Sequence, residues 1–166
     1  MATITEPRQL FVNELKAMLY VEQRLADDVL PELADEITNQ EFKQNVRHHL
    51  DETRQHVATL ERVFELLGEQ PKADKSHAVD GLVAQHDKVV KNIESNELRD
   101  IFDASAAAKT EHLEIAAYES LITTAESLGD SEIVTLLEEN LDQEKHTLKE
   151  VEKVSERLAK ETTTVY

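Results

Sequence analysis

The sequence predicts an all-α protein: a four-helix bundle of two antiparallel hairpins, joined by a crossover that contains a short extra helix. The chain of 166 residues is rich in good helix formers and has only three glycines and three prolines. Apolar residues recur at helical spacing in four long segments. Two connections between these segments are short, which predicts antiparallel neighbours. The length, residues 1–166, suits a single domain.

The first helix is predicted over residues 5–37. Thr5 is the expected N-cap, and Pro7 lies in the first turn, where proline is favoured. The apolar row that follows keeps a spacing of three and four residues, and one acidic residue, Glu22, stands within it. Pro31 also lies inside the row. We therefore expect it to kink the helix or to leave a carbonyl near residue 27 without its hydrogen bond.

The second helix is predicted over residues 39–67, after a short polar junction. Gly68 is a suitable residue to follow its C-terminus. The inward row of this helix is apolar at both ends and polar in the middle, where His49, Glu52 and His56 stand. A buried carboxylate is unfavourable unless it is paired or bound to a cation. The groups on the other helices that face this row therefore determine the function of the interior.

A long connection, residues 69–96, separates the second helix from the third. Its first part, residues 69–78, is a polar linker, and residues 79–94 have the apolar spacing of one shorter helix. A segment of this length between two core helices predicts a crossover instead of a tight hairpin.

The third and fourth helices are predicted over residues 97–128 and 132–160 and form the second hairpin. Gly129 ends the third helix, as glycine often does. Glu114 stands in the inward row of the third helix, and Glu144 stands in that of the fourth. Each of the four long helices therefore carries an acid in its buried row.

The four acids have matched positions in the two hairpins. Glu22 and Glu52 are 30 residues apart, and so are Glu114 and Glu144. Because a helix rises about 1.5 Å per residue, two acids at similar distances from a turn lie at the same height. Both pairs meet this condition, so packing of one hairpin on the other would bring all four carboxylates into one layer.

Four carboxylates in a dry layer cannot all stay ionised without counter-charge, and two cations would supply it. His56 lies one turn after Glu52 on the same face and is either a nitrogen ligand or a core imidazole. Glu111 lies one turn before Glu114 and is either a ligand or a partner of one. His49 is open between a further ligand and a hydrogen bonder to the ligands.

The types of ligand atom that the chain offers narrow the choice of metal. The chain has no cysteine, so only oxygen and imidazole nitrogen are available. An oxygen-rich set of this kind favours iron or manganese, and a pair of irons can bind and reduce oxygen or peroxide. Tyr118, one turn past Glu114, is a core aromatic or a hydrogen-bond partner of a ligand carboxylate.

Charge and composition argue against several other functions. The formal net charge is −17 and the basic residues are scattered, so no basic surface for nucleic acid or anionic lipid is expected. No apolar run approaches the roughly 20 residues of a membrane helix. The N-terminal residues lack the pattern of a signal peptide. We expect a cytoplasmic protein.

Four motifs spread over nearly the whole chain carry a family resemblance. They are LYVEQRL at residues 19–25 with Leu30-Pro31, HLDET at 49–53 followed by His56, EHLEIAAY at 111–118, and NLDQEK at 140–145. In these motifs the chain resembles the YciE/YciF-like stress proteins of the ferritin-like superfamily. The resemblance implies a rubrerythrin-type four-helix bundle, a homodimer, a di-metal carboxylate centre and a role in stress.

Two hypotheses about function follow. In the first, the protein is a di-iron or di-manganese protein of the oxidative or general stress response with ferroxidase or peroxide-consuming activity. Its predicted metal ligands are Glu22, Glu52, His56, Glu111, Glu114 and Glu144. In the second, it is a non-catalytic dimeric stress protein whose acidic layer binds a structural ion or none. Iron storage in a cage is disfavoured, because nothing in the sequence indicates a shell-forming subunit.

Overall fold

The computed structural model describes residues 3–163, and within that range every regular element is a helix. The elements are α1 (Pro7–Arg24), a π-helical turn (Leu25–Val29), α2 (Leu30–Glu36), α3 (Gln40–Leu66), α4 (His77–Val90), α5 (Asn96–Leu128) and α6 (Ser131–Thr163). The predicted all-α class is confirmed. The predicted domain also includes residues 1–2 and 164–166, which lie outside the described range.

The N-terminus of α1 differs from the prediction by one residue. The N-cap is Glu6 and not Thr5. Because Pro7 occupies the first helical position, the residue before it is held in an extended conformation, which is the conformation of an N-cap. The side chain of Gln9 accepts hydrogen bonds from the backbone N–H groups of Thr5 (2.9 Å) and Glu6 (3.2 Å), which satisfies two donors at this end.

The ends of the other long helices follow local chemistry. Asn39 begins α3 with its side chain accepting from the Phe42 N–H at 3.0 Å. Gly68 follows α3 with a φ of 68°, and Gly129 follows α5 with a φ of 78°. Both glycines therefore adopt the left-handed conformation that ends a helix, as the sequence predicted.

Pro31 disturbs the first helix by widening it. The residues immediately before it, Leu25–Val29, form a π-helical turn, in which the Leu30 N–H donates to the Leu25 carbonyl. Proline has no N–H, so a regular α-helical ladder cannot pass through this position. The turn begins three residues after Glu22, and π turns of this kind are frequent at functional sites.

The helices enclose one interior. Helix α1 packs against α3 and α5, α6 packs against the same two helices, and α4 lies against α5. Asp100 of α5 accepts from Thr38 N (2.9 Å), Thr38 Oγ1 (2.7 Å) and Asn39 N (2.7 Å), which joins α5 to the start of α3. Within residues 3–163, no helix has both the length and the apolar character needed to cross a bilayer.

Candidate metal centre

The apolar interior contains a cluster of buried acids and imidazoles. Glu22 of α1, Glu114 of α5 and Glu144 of α6 have no exposed area, and neither does His56 of α3. Glu111, one turn before Glu114, is buried as well. Three of the four long helices thus contribute a fully buried carboxylate, whereas the matched spacing predicted one from each of the four.

One group of possible ligand atoms joins α1, α3 and α6. Its members are Glu22, His56 and Glu144, each offering one atom within 4.8 Å of the others. Nδ1 of His56 lies 2.9 Å from Oε1 of Glu144 and 3.4 Å from Oε1 of Glu22. Two carboxylates and an imidazole nitrogen at these distances can hold a metal ion.

A second group shares Glu144 with the first. It contains His49, Glu111, Glu114 and Glu144, again within 4.8 Å. Nε2 of His49 lies 3.3 Å from Oε1 of Glu111 and 3.9 Å from Oε2 of Glu144. Since Oε1 of Glu144 faces His56 and Oε2 faces His49, this carboxylate lies between the two groups with one oxygen toward each.

The inward atoms of both groups lack hydrogen bonds. Among residues 3–163, the buried atoms without a partner include Glu22 Oε2, His49 Nε2, His56 Nδ1, Glu111 Oε2, and both carboxylate oxygens of Glu114 and Glu144. A buried polar atom without a partner costs about 1–3 kcal/mol, and more when it is charged. Eight such atoms directed at one region are the donor set that a pair of cations requires.

The orientation of His56 suits a ligand. Its Nε2 lies 2.7 Å from Oε1 of Gln143, which can only accept a hydrogen bond. Nε2 of the neutral imidazole therefore carries the proton and donates it to Gln143. This leaves a lone pair on Nδ1, the atom that faces Glu22 and Glu144.

His49 has a comparable support on its other side. The hydroxyl oxygen of Thr147 lies 3.3 Å from His49 Nδ1 and 3.5 Å from Glu52 Oε2. If Nδ1–H donates to this hydroxyl, and the hydroxyl donates to Glu52, the lone pair of His49 is on Nε2, which faces Glu111. The chain Glu52–Thr147–His49 thus resembles the carboxylate support of a metal-bound histidine.

Glu52 is the predicted ligand that stands apart. Its side chain is 13% exposed, and it belongs to neither group. Oε1 lies 3.4 Å from Nε2 of the exposed His48, and Oε2 lies 3.9 Å from Nδ1 of His49. Contact with His49 lowers the pKa of Glu52, so it is a carboxylate at the edge of the cluster. Its role as a ligand stays a prediction.

Tyr118 makes the hydrogen bond that the sequence left open. Its hydroxyl donates to Oε1 of Glu22 at 2.5 Å and accepts from Nδ2 of Asn140 at 2.9 Å. The ring lies edge-on to His56, with the ring centroids 6.2 Å apart. Tyr118 therefore fixes one oxygen of Glu22 and leaves the other, Oε2, without a partner.

Burial sets the protonation of the carboxyls on α5. It raises the pKa of Glu111 and of Glu114 well above the ordinary value, and the charge of Glu144 adds to the effect in both. Burial also raises the pKa of Glu22. Without a cation, these three groups therefore favour the neutral, protonated form.

The pair His56–Glu144 behaves in the opposite way. Burial by itself would lower the pKa of His56, but contacts with Glu144 and Glu22 outweigh it and raise the pKa to about 10. Burial would likewise raise the pKa of Glu144, yet His56 and His49 lower it. In the absence of metal, His56 is thus an imidazolium beside an ionised Glu144.

Three supporting residues were missed at the sequence level, and all lie on α6: Asn140, Gln143 and Thr147. Leu148, four residues after Glu144, also has the spacing of the inward row of this helix, but Thr147 is the buried residue at this level. Asn140, Glu144 and Thr147 are spaced by four and three, which is the spacing of one helix face. A polar row around Glu144 was therefore the signal that could have found them.

Comparison with known proteins assigns the chain to a family. The family described as Domain of unknown function (DUF892) matches residues 6–164. The chain belongs to this family. It is 34% identical over 139 residues to Protein YciF of Escherichia coli (strain K12), a match that covers 83% of each protein. The resemblance to the YciF-like stress proteins is therefore confirmed.

Two solved structures have the same fold as this chain. The crystal structure of the E. coli stress protein YciF matches with a TM-score of 0.89 and 30% identity, covering 95% of this chain and 99% of that one. YcfI of Rhodopseudomonas palustris matches with a TM-score of 0.88 and 32% identity, covering 90% and 94%. Both relatives correspond to this chain over nearly their whole length.

Proposed function

We propose that this protein is a ferritin-like di-metal carboxylate protein that acts in oxidative or general stress. Residues 1–166 form a single domain, a four-helix bundle in which α1–α2 with α3, and α5 with α6, are the two antiparallel hairpins. We propose a homodimer in the cytoplasm, with a small oxidant, oxygen or peroxide, as its reaction partner and with no nucleic acid or membrane partner.

The observation that carries this proposal is the set of buried atoms without hydrogen bonds on the two groups that share Glu144. Carboxylates are rarely buried unless a partner compensates them. Protons can satisfy some of these atoms, and an imidazolium His56 pairs with Glu144 at 2.9 Å, but protons do not explain why Nε2 of His49 also faces a buried carboxyl group, that of Glu111. Two metal ions, one on each side of Glu144, account for both features.

The proposed ligand set follows the two groups. Glu22 and His56 bind one ion, Glu111 and Glu114 bind the other, and Glu144 bridges them. To this predicted set we add His49, since it lies with Glu111 and Glu114. Glu52 remains a proposed ligand, and its place beside His49 would put it nearest the second ion.

Iron is the preferred metal and manganese the alternative, because carboxylates outnumber imidazoles in the set. A pair of irons supplies two electrons to a bound oxidant, which is the chemistry of ferroxidase or peroxide-consuming activity. The chain contributes the rest: Gln143 and Thr147 set the histidine tautomers, Tyr118 holds Glu22, and the buried setting limits access of water.

The test starts with metal content. Purified protein is expected to contain close to two metal ions per chain. After loading with ferrous iron, addition of hydrogen peroxide is expected to produce the near-ultraviolet absorption of an oxo-bridged ferric pair. Glu144→Gln should lose both properties, because it removes the shared carboxylate. Glu139→Gln, at an exposed position on the same helix, is the matched control. Wild-type protein that binds no metal would refute the proposal.

A non-catalytic dimeric stress protein is the second candidate, and the His56–Glu144 pair favours it. An imidazolium with a pKa of about 10 neutralises part of the acidic layer without any metal. The relative YcfI, moreover, is proposed to be a structural protein. In this case a chelator would leave the melting temperature unchanged, and ferrous iron with peroxide would give no new absorption.

A further inference from the structure

A cavity of about 480 Å³ lies beside the candidate metal centre. Most of the residues that line it belong to the π-helical turn, α2, α4 and α5. Two buried members of the second group, His49 and Glu111, line it. The cavity therefore borders one half of the centre.

The two buried members of the second group that line the cavity each have a polar atom without a hydrogen-bond partner. His49 Nε2 and Glu111 Oε2 are both buried and make no hydrogen bond. The side chains that hold these atoms are 4% and 3% exposed, so bulk water does not satisfy them. The part of the cavity beside these two residues is thus suited to a metal ion and to a polar group of a ligand that meets the ion.

The rest of the wall is largely apolar. Side chains from four elements contribute to it: Leu25 and Val29 of the π-helical turn, Leu33 of α2, Leu82 and Val83 of α4, and Ala106 of α5. Polar and charged side chains complete the lining. The apolar part of the wall can hold the body of a small organic molecule, and the polar groups can orient it.

Helix α4 is joined to α5 at this cavity by a partly buried contact between His86 and Asp103. Nε2 of His86 lies 2.8 Å from Oδ1 of Asp103 on α5, and the His86 ring stacks on Phe102 with a centroid distance of 5.4 Å. Asp103 is buried, and both members of the pair line the cavity. The wall that α4 provides is therefore held in place by specific contacts.

The volume indicates the size of the occupant. Pockets for small organic ligands span about 300–1,000 Å³, whereas a water molecule takes about 30 Å³ of liquid. Hydrogen peroxide is little larger than water and needs no apolar wall. A cavity of about 480 Å³ instead fits a molecule with an organic body.

We propose that this cavity is a substrate pocket of the metal centre and that it takes an organic hydroperoxide. The organic body packs against Leu33, Leu82 and Val83, and the hydroperoxide group points to His49 and Glu111. This inference rests on the proposed function, since it names the class of peroxide that the centre consumes.

The reaction is a two-electron reduction. A pair of ferrous ions held by the residues of the centre would supply the two electrons that break the O–O bond of the hydroperoxide, and two protons from solution would complete the reduction. The products are the corresponding alcohol and one molecule of water. The alcohol keeps the organic body of the substrate, so it should bind the same pocket.

Binding of the alcohol is tested apart from catalysis. Cumyl alcohol, the product from cumene hydroperoxide, is titrated into the purified protein by calorimetry. Val83→Phe and Ala106→Phe fill the cavity from two different helices and should each weaken binding about tenfold or more. Ala84→Phe and Ala116→Phe change exposed positions on the same two helices and should leave binding unchanged.

Reaction rates then separate this inference from the proposed function. Ferrous-loaded protein is mixed with cumene hydroperoxide or with hydrogen peroxide. We expect Val83→Phe and Ala106→Phe to slow the consumption of cumene hydroperoxide by about tenfold, and the exposed variants Ala84→Phe and Ala116→Phe to leave it unchanged. Wild-type protein that consumes hydrogen peroxide, but neither binds cumyl alcohol nor consumes cumene hydroperoxide, would overturn the inference alone. Protein that binds no metal and consumes neither peroxide would overturn both.

Discussion

Oε1 of Gln143 lies 2.7 Å from Nε2 of His56, and this contact decides which nitrogen of the imidazole is free. The free nitrogen, Nδ1, faces Glu22 and Glu144. Gln143 lies next to Glu144 in sequence, so one turn of α6 supplies both a carboxylate for the centre and the orientation of its histidine. The supporting contact is thus as much a part of the site as the ligands.

Removal of this support should weaken metal binding. Gln143→Leu leaves Nε2 of His56 without an acceptor, and the ring can rotate or change its tautomer. Loss of such a partner typically lowers metal affinity about 10–100-fold. Competition with a chelator measures the change, and Gln55→Leu, at an exposed position of α3, is the control. Equal affinities for the two variants would argue against Nδ1 of His56 as a ligand atom.

The metal-free protein should become more stable as the pH falls from about 9 toward 4.5. Burial raises the pKa of Glu22, Glu111 and Glu114 above the ordinary 4.5. The folded state therefore binds more protons than the unfolded state, and the free energy of unfolding falls as pH rises. His56, with a pKa of about 10 against an ordinary 6.5, acts in the same direction.

The increase in stability of the metal-free protein should end near pH 4.5. Below that value the unfolded chain takes up protons at Glu52 and Glu144, whose pKa values are lowered in the folded state, so their contribution is lost. Urea denaturation of the chelator-treated protein at several pH values measures the free energy of unfolding above and below pH 4.5. Stability that declines steadily from pH 8 to pH 5 would show that the carboxyls are not clustered.

Glu114→Gln should separate stability from metal binding. Both carboxylate oxygens of Glu114 are buried without a partner, and burial raises its pKa. The neutral amide removes the charge at nearly constant volume, so the metal-free variant should be about 1–3 kcal/mol more stable than wild type at pH 8. The same variant should lose one bound metal ion.

Glu126→Gln, at an exposed position of α5, is the control for this comparison. Urea denaturation and metal analysis of the two variants give both readings. A Glu114→Gln variant that is less stable without metal and keeps two bound ions would contradict the proposed role of Glu114.

The role of Glu52 can be decided with a pair of variants. As a ligand, Glu52 should matter more for metal content than Thr147, which links it to His49. We therefore expect Glu52→Gln to lose an ion, and Thr147→Val to keep both ions at lower affinity. Metal analysis and chelator competition measure the two effects. Equal losses of bound metal in Glu52→Gln and Thr147→Val would mean that Glu52 acts only through Thr147.

The sequence was sufficient to predict the level of the acids, because helical rise converts residue spacing into height. That argument holds for Glu22, Glu114 and Glu144, which are all fully buried. Rotation about the helix axis is harder to predict, since one residue corresponds to about 100°. This is why Thr147 was missed beside Leu148, and why Glu52 lies at the edge of the interior.

Helical periodicity in the sequence could not predict the cavity. Its walls come mostly from four elements, and α4 joins them only through tertiary contacts such as the pair His86–Asp103. Asp103 precedes Glu111 by eight residues on α5, but nothing in the sequence pattern pairs it with His86 of α4. A site between elements that are distant in sequence becomes visible only when the fold is known.

Anomalous X-ray diffraction from crystals of the metal-loaded protein, recorded at the iron and manganese absorption edges, tests the central proposal most directly. We predict two anomalous peaks per chain on either side of Glu144, one beside Glu22 and His56 and the other beside Glu111 and Glu114. An interior without an anomalous peak, in which ordered water or protons alone satisfy these carboxyls, would contradict it.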